Sequence, residues 1–122
     1  MQDLSGCWLG TYWQEEIPTR FELTLVQGGN TITGNILDDS HLGEASLVGE
    51  VIGRKIRFIK QYLLASRHKV HYMGTISVDQ NFMQGQWQIE WLSGTWEAHR
   101  QEDHLTLNLE TRRQQVLDKV PN

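Results

Sequence analysis

The chain predicts an all-β fold, an eight-stranded antiparallel up-and-down barrel, and two observations predict it. Eight short runs alternate apolar and polar residues, the period of a strand with one buried and one wet face. Five of those runs place a glycine on the apolar face: Gly10, Gly34, Gly49, Gly74 and Gly85. A mid-strand glycine marks a hard bend or the close approach of another backbone, and repeated around a meander it is a device for closing a barrel.

The inward sets follow in chain order. They are Trp8/Gly10/Tyr12, Phe21/Leu23/Leu25, Ile32/Gly34/Ile36 and Ala45/Leu47/Gly49/Val51. The second half gives Ile56/Phe58/Lys60/Tyr62, Val70/Tyr72/Gly74/Ile76, Met83/Gly85/Trp87/Ile89/Trp91 and Trp96/Ala98/Arg100. Gly28-Gly29-Asn30, Ile52-Gly53 and Asp79-Gln80-Asn81 are tight hairpin signals, rich in residues that tolerate positive φ. Longer links are expected over Gln14–Thr19, Asp38–Gly43 and Leu63–His68, with a tight turn at Leu92-Ser93. Alternate turns of a meander fall at opposite ends, so the tight hairpins define a closed end and the other links a mouth. Inward residues near the closed end are mainly aliphatic. Those near the mouth are Tyr12, Phe21, Ile36, Lys60, Tyr62, Tyr72, Ile89, Trp91 and Trp96, an end that is aromatic with polar tips.

The 122 residues read as a single β-barrel domain, the barrel over about 6–100 and a C-terminal extension over about 101–122. Within the extension, His104–Glu110 alternates like a ninth strand, and Thr111–Val120 reads as a short helix stopped by Pro121. One cysteine, Cys7, excludes an intramolecular disulfide. The start Met-Gln-Asp-Leu-Ser has neither the basic residues nor the apolar run of a secretory signal, and no run reaches membrane-span length. Cytoplasmic residence with no membrane partner is therefore expected. Eleven basic against fifteen acidic side chains give a net charge of −4, which argues against a nucleic-acid partner. Leu37, Val48, Ile59 and Met73 face outward on consecutive strands, an apolar patch that the tail or a second copy could cover as a homo-oligomer.

On Gly6-Cys7-Trp8 in the first strand, and Arg100 in the last, the chain resembles the calycin superfamily of lipocalins, fatty-acid-binding proteins and avidins. The resemblance covers roughly residues 6–100 and implies that Arg100 closes the barrel end against Trp8. The short link after the first strand leaves no room for the helical pair of fatty-acid-binding proteins, so the chain looks most like an avidin. Biotin binding does not carry over, because Gly10 stands where avidins supply an asparagine for the ureido group. His104-Leu105-Thr106-Leu107 is faintly similar to the heme-binding segment of nitrobindins, which implies a heme-binding barrel as an outside alternative.

Lys60, between Phe58 and Tyr62 on an otherwise apolar face, is the residue most suggestive of chemistry. A lysine inside a barrel must be paired or lose its charge; otherwise it snorkels to the mouth. Paired to a ligand acid, it would act with the hydroxyls of Tyr12, Tyr62 and Tyr72, while Trp87, Trp91 and Trp96 form an aromatic wall. Asp38, Asp39 and His41 read as solvated residues of one mouth loop, without metal-ligand spacing. Trp8 with Arg100 reads as a cation–π plug.

The sequence thus points to a non-enzymatic barrel whose lumen takes a small apolar or aromatic ligand carrying an acidic group. No cofactor can be named from it. The alternatives are a filled barrel acting through its outer surface, and an enzyme using Lys60 and a tyrosine. The enzyme ranks last because no carboxylate reads as inward beside them.

Overall fold

A computed structural model describes residues 3–64 and 68–101. It is a closed barrel of eight antiparallel strands in sequential order. The strands are β1 (Gly6–Gln14), β2 (Ile17–Gly28), β3 (Thr31–Asp38) and β4 (Glu44–Ile52), then β5 (Lys55–Tyr62), β6 (Lys69–Ile76), β7 (Phe82–Ile89) and β8 (Leu92–Arg100). Closure pairs β1 with β8, from Trp8 opposite Arg100 to Trp13 opposite Thr95. The expected fold class is the observed one. The ninth strand and helix expected beyond Gln101, with His104, lie outside the described residues.

Alternation sets the core. Leu23 and Leu25, Ile32 and Ile36, Leu47 and Val51, Ile56 and Phe58, and Ile76 and Met83 all point inward and are buried. Their neighbours in sequence face out, as a period of two requires.

Two mouth turns differ from expectation. β1 and β2 join through Glu15-Glu16, both at positive φ (50° and 69°), so Pro18 already lies in β2, opposite Trp13. A pair of positive-φ residues matches the twist of a two-residue hairpin, but glutamates carry no glycine or asparagine signal for it. β7 ends at Ile89 and turns at Glu90-Trp91, with Glu90 at φ 48°, two residues earlier than the alternation suggests. Trp91 is thereby moved from the lumen to a turn tip.

The inward glycines work as close-approach sites. A Cβ at Gly85 would strike the Met73 carbonyl and the Gly74 backbone, and one at Gly34 the Thr24 carbonyl. Rings cover three others: Phe21 lies over Gly10, Trp96 over Gly74 and Trp87 over Gly94, while at Gly49 the neighbours are the Arg57 carbonyl and the Phe58 Cα and Cβ. Gly85→Ala is expected to cost about 2–3 kcal/mol, since the obstacle is neighbouring backbone that cannot rotate away. Gly28→Ala meets nothing within 4 Å and should change stability by less than about 0.5 kcal/mol. Denaturant midpoints of the two variants check the contrast; equal losses would refute it.

Candidate functional site

The closed end is plugged from β1, β8 and the segment before β1. Trp8 is fully buried and its indole N–H donates to the Leu4 carbonyl at 3.0 Å. The Arg100 guanidinium stacks on the Trp8 ring, 4.6 Å from its centroid. It also donates to the carbonyls of Asp3 (2.9 Å), Ser5 (3.0 Å) and Gln80 (3.1 Å). This end is sealed structure.

Two tryptophans on neighbouring strands mirror each other, Trp96 midway along the barrel and Trp87 nearer the mouth. The Trp87 side chain, on β7, crosses Gly94 of β8 and donates its indole N–H to the Trp13 carbonyl of β1 at 3.0 Å. The Trp96 side chain runs the opposite way from β8. It passes over Gly74 of β6 and donates to the Met73 carbonyl at 3.1 Å. Each glycine lets an indole lie flat on the sheet wall and reach a backbone acceptor. Trp96 also meets Phe58 and Tyr72 edge-on, and those two rings stack at 4.7 Å.

Towards the mouth the lumen holds a polar cluster. Lys60 of β5 is 1% exposed, and its ammonium donates to both Asp38 carboxylate oxygens, at 2.9 and 2.8 Å. Asp38 also accepts from the Tyr62 hydroxyl at 2.5 Å and the Tyr12 hydroxyl at 3.0 Å. The Lys60 nitrogen lies 4.8, 4.6 and 5.8 Å from the ring centroids of Tyr12, Tyr62 and Tyr72, an aromatic box on three sides. The half-buried side chains of Tyr12, Leu42 and Ile89 pack against the same core. Tyr12 and Leu42 come from β1 and the β3–β4 loop, Ile89 from the end of β7.

Asp38 is thus not a solvated loop residue. It is the last residue of β3, 4% exposed, pointing inward. Reading β3 as ending at Ile36 hid it, although Ile32/Gly34/Ile36/Asp38 keeps one parity. Asp39 and His41 are exposed, as a loop requires. The structure brings Lys60, Tyr12, Tyr62 and Tyr72 together, with Trp96 against Tyr72 and Trp87 edge-on to Tyr12. Trp91 does not join them. At 84% exposure it stands outside the lumen, because the Glu90-Trp91 turn takes it off the strand.

The outer patch also changes. Val48 pairs with Ile59, and Met73 lies beside them across Arg57, all three lining an outer groove of about 480 Å³. Leu37 pairs instead with Glu22 and Glu44, four residues along β3 from the Val48 partner Thr33. It lines a separate groove of about 640 Å³ with Arg20, Glu22 and His99.

Burial dominates the electrostatics. It pulls the Lys60 ammonium below the usual lysine value, against the attraction of Asp38. Burial first, then Asp38 through its charge and, for Tyr62, first through its hydrogen bond, pushes the hydroxyls of Tyr12, Tyr62 and Tyr72 above the ordinary tyrosine value of 10.0. Tyr72 has its hydroxyl in this interior with no hydrogen bond to any described residue.

Two outcomes follow. Lys60→Met or Asp38→Asn alone should cost about 3–5 kcal/mol, since each strands a buried charge. The double variant should cost about 2–3 kcal/mol less than the sum of the singles; additive losses in denaturant titration would deny the pairing. The second outcome is a pH dependence. These three are all the tyrosines of the chain, so tyrosinate absorbance reports the cluster without background. With folded pKa values raised, the tyrosine contribution to stability is full below pH 10.0 and is lost as pH rises beyond it. Roughly one unit above the ordinary tyrosine value the unfolded chain forms tyrosinate almost fully, and folded protein should form clearly less. A normal tyrosine titration in folded protein would refute this.

No protein-family model and no curated protein matches the chain. Among solved structures it is similar to a redesigned β-barrel, b11L5F_LGL, at TM-score 0.68 and 16% identity over 81% of this chain and 92% of that one. It is similar also to a de novo designed fluorescence-activating β-barrel, at TM-score 0.62 and 17% identity over 83% and 100% of the two chains. A third, the redesigned β-barrel mFAP1 bound to DFHBI, gives TM-score 0.65 and 10% identity over 80% and 94%. At these identities the likeness is one of fold. It places the chain among small closed β-barrels and points to lipocalins or avidins no more than to other barrels of that kind.

Proposed function

We propose that this barrel binds one small, largely apolar or aromatic molecule in the mouth half of its lumen, with Lys60 and Asp38 as the polar anchor and without catalysis. The observation that carries the reading is the buried Lys60–Asp38 pair with its tyrosines. Stability alone gives little reason for it, because apolar residues of similar volume usually serve a core as well or better than a buried ion pair. Buried, perturbed charges concentrate at sites. Apolar side chains stand exposed on or beside three of the four mouth connections: Ile17 at the start of β2, Leu63 with Leu64, and Trp91 with Leu92 at the start of β8. They offer a sticky rim to an apolar molecule. One similar fold is a designed fluorescence-activating barrel and another is bound to DFHBI, so a barrel of this size can take a small ligand.

The acidic ligand expected from Lys60 alone gives way to a neutral one. Asp38 already meets the lysine charge, and a ligand carboxylate would face that carboxylate as well. A hydroxyl or carbonyl on an aromatic body suits the anchor better.

Cinnamyl alcohol, cinnamaldehyde and cinnamic acid share one apolar body and differ in the polar end. Equilibrium dialysis should show the alcohol binding saturably at one site and the acid binding at least about ten-fold more weakly. Lys60→Met with Asp38→Asn should weaken the alcohol by about 1–2 kcal/mol, the worth of a hydrogen bond. If none of the three binds saturably, the reading falls. The outer groove of Val48, Ile59 and Met73 then favours a surface that meets another protein or a second copy, which the mass in solution tests.

A further inference from the structure

We infer that Lys60 is a carbonyl-capturing lysine: its amine condenses reversibly with an aromatic or conjugated aldehyde, and Asp38 serves as the counterion of the resulting protonated imine. The inference rests on the binding reading above and adds a covalent bond to it.

Three features of the cluster carry it. Lys60 is the one buried lysine among the described residues, held at one place by both oxygens of Asp38. Its nitrogen sits in a box of three tyrosine rings, whose faces favour a cation and so suit a protonated imine as they suit the ammonium. Proton carriers are already in place, since the Tyr12 and Tyr62 hydroxyls both donate to Asp38 Oδ2. Burial also lowers the proton affinity of Lys60, which raises its share of reactive amine.

The step balances within the site. The ammonium passes one proton to Asp38, and the freed amine attacks the aldehyde carbon, forming the C–N bond. The carbonyl oxygen takes the proton back from Asp38, and the nitrogen's own proton follows through the carboxylate. The C–O bond then breaks and water leaves. An ammonium and an aldehyde have become a protonated imine and a water, with the same single positive charge on the nitrogen. The charge that Asp38 neutralises is therefore unchanged, and the interior meets no new unpaired ion. A carboxylic acid or an alcohol cannot react this way, so the inference narrows the ligand class to aldehydes and reactive ketones.

Cinnamaldehyde with borohydride tests it on the wild-type chain. Borohydride adds hydride to the imine carbon and fixes a secondary amine, which peptide mass mapping assigns to a residue. The chain offers Lys55, Lys60, Lys69 and Lys119 besides its N-terminus. At neutral pH the reduced adduct is expected on Lys60 at least about ten-fold above Lys55, Lys69 and Lys119, because binding holds the aldehyde against that one amine. Cinnamyl alcohol should suppress it, and the preference should vanish when the chain is unfolded in guanidinium. Adduct spread evenly over the lysines, or confined to the exposed ones, overturns the inference. So does saturable aldehyde binding that leaves no covalent mass, although the binding reading then stands. If neither the aldehyde nor the alcohol binds, both fall together.

Discussion

Closing eight short strands around a narrow lumen is the constraint on which the rest depends. So small a circumference bends each strand sharply and leaves little room inside. Glycine meets both demands at once. At Gly34 and Gly85 it lets neighbouring backbones approach closer than any Cβ allows, and at Gly74 and Gly94 it makes a seat for an indole. The opposed crossings of Trp87 and Trp96 stitch strands that are not hydrogen-bonded neighbours, β7 to β1 and β8 to β6. The aromatic layer therefore helps hold the barrel closed as well as filling it.

Against that layer the barrel does something its stability does not ask for. Carrying a lysine and a carboxylate into the lumen costs several kcal/mol of desolvation per ion, recovered only through close geometry and further hydrogen bonds. The structure supplies both, in the two-oxygen grip of Asp38 and the two tyrosine hydroxyls on it. Four strands contribute: β1 gives Tyr12, β3 Asp38, β5 Lys60 and Tyr62, and β6 Tyr72. Such a cluster is rigid for the reason that it is expensive, since no member can leave without stranding another.

The fold was legible because alternation and glycine placement are local signals that agree with each other. Each inward parity set from Trp8 to Ala98 could be read off a few consecutive residues. What escaped was the ends of strands. Two extra residues on β3 would have moved Asp38 from solvent to lumen, and two fewer on β7 would have put Trp91 outside. Glu15-Glu16 and Glu90-Trp91 turn without the usual glycine or asparagine, so nothing local announces them. Pairing is less legible still. Lys60 could be seen as inward, but its partner lies 22 residues away in sequence, and only the register of β3, β4 and β5 brings the two together.

That one residue changes the chemistry more than any other. A lone buried lysine asks for an anion, and the natural ligand for it would be an acid. A lysine already gripped by Asp38 asks for something that keeps its single positive charge while replacing its protons. Imine formation does this, whereas binding an anion would force the carboxylate to move, take a proton or remain as a like charge a few ångströms away. Asp38 also supplies the inward carboxylate whose apparent lack had ranked acid–base chemistry last. The same side chain thus argues against an acidic ligand and for a reactive carbonyl, and it does so through charge balance rather than shape.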